Sequence, residues 1–297
     1  MSAVDLLNLL VAALLLAGVY AAMSVGMTII YGVMKIVNLA HAGFLMLGAY
    51  FVYEAWARFG IDPLAGVLLA FPVFFLAGMA VHGLLIRRLP ASDQPTLTSL
   101  LLLFGLWLVL QNVGYLLWGN ADRAILTPRT LAAIQLGPLS LPTVRLVVFA
   151  AAVAALALLD LVLTRTWFGR AVRALMQNSD AGRLAGVDVE RTARVAFGVG
   201  IAFAGAAGGL LAMLYSFNPD FGGPFLLRAF VIIVLGGLES FAGVAAGALI
   251  LALLETFSIL VLPASYQPAV AFALLVLALV VLPGGLAGLW SRRRRWS

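Results

Sequence analysis

Eight stretches of this sequence run for roughly the 20 residues that a helix needs to cross a bilayer with hardly a charge among them. They are 6–31, 38–57, 64–86, 96–118, 143–164, 193–216, 241–262 and 266–284. One soluble core cannot hide so many apolar runs. Composition agrees: 64% of the 297 residues are apolar and 10% are charged, where a globular chain is about half apolar and about a quarter charged. Mean hydropathy is +1.12. Lipid is therefore the solvent for most of the chain, and lipid gives backbone N–H and C=O groups no partner outside their own helix. The expected fold class is an all-α polytopic membrane protein with about 8–9 transmembrane helices, read as a single transmembrane domain over 1–297. The N-terminal Met-Ser-Ala-Val-Asp has no basic region, and the apolar stretch from Leu6 to about Ile30 is of spanning length. A retained helix is expected there, not a cleaved signal.

A ninth segment, FLLRAFVIIVLGGL at 225–238, is shorter and carries Arg228. Loop charge decides whether it crosses, because Lys and Arg concentrate on the cytoplasmic side. Arg165, Arg170, Arg173, Arg183, Arg191 and Arg194 mark the connection at about 165–194 as cytoplasmic. Counting back places Arg87, Arg88 and Lys35 inside and the N-terminus outside. The run Arg292 to Arg295 is also inside only if an even number of crossings follows residue 194, which makes 225–238 a crossing. A fourteen-residue helix is roughly 20 Å long, so this one is expected to be short or broken, completed by flanking segments buried in protein. Discontinuous helices of that kind mark substrate routes in transporters, although a plain short helix with a Gly-Gly kink serves as well.

Charge and residue type also limit the chemistry. There is no Cys and only two His, His41 and His82, so neither a thiolate centre nor a His-rich metal site is expected. The net charge of +6 comes from 18 basic and 12 acidic residues. In such a chain it reads as topology and contact with anionic lipid, not as nucleic-acid binding. No Ser/His/Asp set or carboxylate pair converges on one span, and there is no GxxxxGK[ST] phosphate loop. No catalytic, cofactor or metal residue is assigned.

Polar and small residues gather in four places. Asn38 and His41 sit at the cytoplasmic start of the second run, followed by Gly43 and by Gly48-Ala49. They are candidate path residues, or a cap and a satisfied core histidine. A similar segment opens a late span: Glu239-Ser240, then Ala242-Gly243 and Gly247-Ala248, a faint parallel repeat. In the sixth run Ala196, Gly200, Ala204, Gly208 and Ala212 recur every four residues, a face for close helix packing inside the chain or between subunits. Among acids in the spans, Glu255 is the deepest. It is either a structural pair member or the ion site of a secondary carrier, in which Glu255→Gln would abolish transport.

The cytoplasmic stretch 164–192 has signals of its own. Asn178 or Ser179 can cap a short helix with Asp180 in its first turn. Gly186 suits the left-handed residue that ends it, and Asp188 can cap the next span. A rigid capped helix exceeds what topology needs, and a peripheral partner would explain it.

The segments MKIVNLAHAGFLMLGAY (34–50), LTSLLLLFGLWLVLQNVGYLLWG (97–119), GRAVRALMQNSDAGRLAGVDVERTARVAFGVGIAFAGAAGGLLA (169–212) and GGLESFAGVAAGALILALLE (236–255) resemble one family. It is that of the LivH-type membrane subunits of branched-chain amino acid ABC importers. The resemblance implies a permease that hydrolyses nothing itself, needs no cofactor and lies in a bacterial inner membrane. It would work with a homologous second permease subunit, two cytoplasmic ATPases and an extracytoplasmic substrate-binding protein. It places an ATPase contact on Asp180, Ala181, Ala185 and Gly186, with Gly182 departing from the usual acidic-Ala-Ala core. It also admits relatives for urea or short amides. The candidate path residues then become Asn38, His41, Gly43, Glu239, Ser240 and Gly243.

Overall fold

The computed structural model describes residues 3–89, 95–137, 139–282 and 284–288. Arg292–Arg295, on which the crossing count leaned, lie outside the described residues. Helices dominate, in the order α1 (Ala3–Met34), α2 (His41–Phe59), α3 (Pro63–Leu84), α4 (Pro95–Trp118) and the short α5 (Pro128–Leu131). After a hairpin come α6 (Thr143–Arg165), α7 (Trp167–Gln177), α8 (Ser179–Leu184), α9 (Val189–Ala212), α10 (Gly222–Gly236), α11 (Phe241–Ser258) and α12 (Gln267–Val281). The hairpin pairs β1 (Ala133–Leu136) with β2 (Leu139–Pro142), Ala133 opposite Pro142 and Leu136 opposite Leu139. It was not foreseen, and it falls in the 119–142 connection, outside lipid, where strand backbone can meet water.

Among the described residues, seven helices, α1, α3, α4, α6, α9, α11 and α12, are long and apolar enough to cross a membrane. The protein is a multi-pass, all-helical membrane protein. Two further helices complete the bundle: α2, which carries His41, Glu54 and Arg58 and is largely enclosed, and the short α10. Helix α9 is the central post, packed against α3, α2 and α1. Its small residues make that possible. Ala196, Ala204 and Ala212 are buried, and a methyl added at Gly200 would meet Ile30 and Gly26 of α1. At Gly208 it would fall on the Leu45 carbonyl of α2. The stripe faces the inside of the bundle.

Two helices start well inside the bundle. Nε2 of His41, the first residue of α2, lies 3.0 Å from the Met23 carbonyl, which sits eleven residues, or roughly 16 Å, before the end of α1. The chain at 35–40 therefore climbs back into the bundle before α2 begins. Lys35 starts this reversal with a left-handed φ of 57°. His41 and Asn38 are thus not at the cytoplasmic rim, as the sequence suggested, but near mid-depth. Gly222, which opens α10, is packed on the Ala42 carbonyl, so α10 starts at the same depth. Residues 213–221 supply the descent from the outer end of α9, and α10 needs only half a crossing.

Candidate functional site

Above the start of α10 lies a cavity of 460 Å³. The middle of α1 lines it with Leu16 and Tyr20, the segment 213–221 with Tyr215, Ser216, Asn218 and Asp220, and α10 with Pro224, Phe225 and Arg228. Glu255 and Thr256 of α11 and Gln267 of α12 close the ring. A second chamber of 240 Å³ adjoins it through Leu16, Tyr215, Thr256 and Gln267, and is lined otherwise by Leu9, Ala12, Leu15, Leu214, Ile259 and Arg145.

The floor of the larger cavity is an ion pair. Arg228 Nε donates to Glu255 Oε1 at 2.8 Å, and Tyr20 O–H donates to Glu255 Oε2 at 2.6 Å. One carboxylate thereby joins α1, α10 and α11. The guanidinium also donates from Nη1 to the Pro224 carbonyl at 3.3 Å and lies 5.3 Å from the Phe225 ring centre. Glu255 is 2% exposed and Arg228 9%. The cavity mouth is held by further polar contacts. Asp220 accepts from Gln111 Nε2 and Tyr115 O–H, each at 2.5 Å. Asn218 donates to Asp122 at 2.9 Å.

The predicted path residues lie elsewhere, and none of the six lines these two chambers. Asn38 is buried with neither side-chain atom bonded, and His41 Nδ1 has no partner. Gly43 faces Leu110 of α4. Just beyond the C-terminal end of α1, Lys35 pairs with Glu239 at 2.5 Å. Ser240 caps α11 by accepting from Gly243 N–H at 3.0 Å, and Gly243 packs directly on Gly236. This backbone-on-backbone contact closes the α10–α11 turn below the cavity. Sequence reasoning noted Arg228 and Glu255 separately and missed their pairing. The signal was there: two opposite charges in apolar runs need one another.

The capped helix expected after Asn178 forms where its signals lie. Asn178 Oδ1 accepts from Asp180 N–H and Ala181 N–H, both at 3.0 Å. Gly186 has φ 85°, and Asp188 accepts from Arg191 N–H at 2.9 Å to start α9. An unforeseen element holds it: α7, capped by Thr166, whose Val172 and Leu175 pack with Val25, Ile29 and Val33 of α1 and with α6 and α9. Gly182 sits against Leu175, which locks α8 onto α7. The outer face of this pair is open, with Leu184 90% exposed.

A family model described as "Branched-chain amino acid transport system / permease component" matches residues 9–279. The chain belongs to this permease family. It is 30% identical to the high-affinity branched-chain amino acid transport system permease protein LivH of Salmonella typhimurium, over 92% of each chain. It is 29% identical to BraD of Pseudomonas aeruginosa, another high-affinity permease for branched-chain amino acid transport, over 95% of each. A xylose transport system permease protein, XylH of Haemophilus influenzae, is 34% identical over 56% of this chain and 51% of its own length. No solved structure matches. Membership assigns the chain to transport across the membrane.

Proposed function

We propose that the chain is the transmembrane permease subunit of an ATP-driven ABC importer for branched-chain or related amino acids in a bacterial inner membrane. It acts as one permease unit over 1–297, beside a homologous second permease subunit. An extracytoplasmic binding protein delivers substrate, and two cytoplasmic ATPases drive the cycle. The observation that carries this reading is the exposed, doubly capped α8, mounted on α7 and through it on α1. Leu184 at the end of this helix is 90% exposed, so the helix is left open to a protein partner.

The same contacts suggest how force travels. ATPase closure displaces α8, with Asp180, Ala181, Ala185 and Gly186 at the contact. The α7–α8 pair moves as a block because Gly182 is seated on Leu175. That block is packed on α1 and α9, so these helices shift against α10 and α11. The outer cavity then closes, the Gly236–Gly243 contact parts, and substrate leaves past Asn38, His41, Gly43, Glu239, Ser240 and Gly243. ATP and the loaded binding protein can bias such an equilibrium only by binding one state more tightly than the other.

The test is reconstitution of the permease pair with its ATPases in liposomes. Leucine-loaded binding protein should stimulate ATP hydrolysis, and Leu184→Asp should uncouple hydrolysis from uptake while the subunits stay assembled. Uptake by this chain alone, driven by an ion gradient, would show a secondary carrier and sink the proposal. Arg228 and Tyr20 each engage one oxygen of Glu255, and dependence on an ion gradient is what separates the two readings.

A further inference from the structure

The ion pair under the outer cavity is an unlikely device for stability alone. Buried pairs seldom hold a fold better than apolar residues of the same volume would. Intramembrane charges instead mark substrate routes. This pair faces a chamber of 460 Å³, within the roughly 300–1,000 Å³ range of small-molecule sites.

Deepening the importer reading on which it rests, we propose that this cavity is a docking site for a zwitterionic amino acid, recognised by exchange of the Arg228–Glu255 pair. The substrate carboxylate takes the Arg228 guanidinium, the substrate ammonium takes Glu255, and the aliphatic side chain enters the adjoining chamber.

Three observations carry it. The first is charge balance. The floor of the site holds one buried cation and one buried anion, 9% and 2% exposed, while the exposed Asp220 lines the cavity wall and the exposed Arg145 the adjoining chamber. A zwitterion replaces each partner like for like and leaves no buried charge alone. A carboxylic acid, an amine, an amide or a sugar leaves at least one unpaired. The second is the free hydrogen-bonding capacity. Arg228 uses Nε on Glu255 and Nη1 on Pro224, and its Nη2 end bonds no described residue. That leaves donors for a carboxylate, which guanidinium binds best in two-pronged fashion. When the guanidinium turns to the substrate, Tyr20 still holds Glu255 Oε2 at 2.6 Å, so the carboxylate stays in place for the ammonium. The third is the adjoining 240 Å³ chamber, in which Leu9, Leu15, Leu16, Leu214 and Ile259 offer an aliphatic surface beside Arg145, Tyr215, Thr256 and Gln267.

The exchange also has a mechanical consequence. Unliganded, the pair ties α10 to α11 and, through Tyr20, to α1. A bound zwitterion removes the Arg228–Glu255 tie and frees α10 from α11 at the floor of the cavity. Loss of Glu255 therefore impairs an ATP-driven importer too. Ion-gradient dependence, and not Glu255→Gln, separates importer from carrier.

The test uses the assembled permease–ATPase complex without its binding protein, in detergent or nanodiscs, with tritiated leucine as probe. Leucine should bind. Leucinamide (cation only), 4-methylpentanoate (anion only) and xylose should compete at least roughly a hundred-fold more weakly, the order of the loss when a buried charge is left alone. The double variant R228Q/E255Q removes both charges together and so leaves none unpaired. It should assemble with unchanged thermal stability and lose leucine binding. Equal competition by leucinamide and 4-methylpentanoate would overturn the proposal, as would leucine binding undiminished in the assembled double variant. So would the absence of leucine binding in a complex that still takes up leucine when the binding protein and ATP are restored. A complete system with no ATP-dependent uptake of any amino acid overturns the importer reading itself, which the uptake assay separates from failure of this site.

Discussion

At the scale of single residues, the side chains that matter are those whose neighbours leave them no alternative. Glu255 and Arg228 pair where water is scarce, so removing one member isolates the other. Glu255→Leu should destabilise the protein by about 3–5 kcal/mol, read as a lowered melting temperature in detergent, and adding Arg228→Met should restore most of it. The Lys35–Glu239 pair is different. Both side chains are about half exposed, and such pairs contribute no more than about 1 kcal/mol, so Lys35→Ala should barely move the melting temperature. Asn178 is intermediate. It satisfies two amide donors at the start of α8, and Asn178→Ala should cost about 1 kcal/mol. Faster amide exchange confined to 179–184 is the measurement, and unchanged exchange would refute the cap's role. Asn178, Gly186 and Asp188 were legible in the sequence because caps and left-handed turns are local. The Arg228–Glu255 pair left a signal, two opposite charges in apolar runs, but Tyr20 did not, since it joins the carboxylate from 235 positions away.

At the scale of elements, glycine decides which helices can touch. Helix α2 crosses α9 where Gly48 meets the backbone of Gly205 and Gly208 meets that of Leu45. No side chain fits between them. Gly48→Val should force the helices apart and cost at least about 1–3 kcal/mol, the usual penalty of overpacking. Thermal unfolding of the purified complex would show it, and wild-type stability would mean that the crossing is looser than described here. The short α10 has a similar explanation. Its 15 residues suffice because 213–221 descends to meet it and because Gly222 can rest on Ala42. The length deficit was visible in the sequence at 225–238. The mid-depth start of α2 was not, because nothing in 35–40 says whether the chain turns along the membrane face or climbs back through the bundle. Likewise α7 was hidden: its apolar stripe, Val172 and Leu175, is too short to stand out beside spans that are apolar throughout.

At the scale of the whole molecule, the cavity and the α7 contact share α1. Its middle carries Leu16 and Tyr20 in the cavity, and its C-terminal third carries Val25, Ile29 and Val33 against α7. A displacement of α8 therefore reaches the cavity through one continuous helix. Cross-linking α8 to its ATPase partner should trap the outer cavity in a single accessibility state, measured by thiol labelling at a cysteine introduced at Ser216 in this Cys-free chain. Labelling that still responds to ATP would break the proposed link. The sequence by itself determined the solvent, most of the long apolar helices and the capped helix after Asn178. Hydropathy, loop charge and capping are properties of neighbouring residues, and lipid enforces them strongly. Only the tertiary structure decided which polar groups meet, where the cavity lies and which helices start at mid-depth. Those depend on close approaches between distant segments, and in a bundle rich in Ala and Gly many pairings look alike until the backbones are in place.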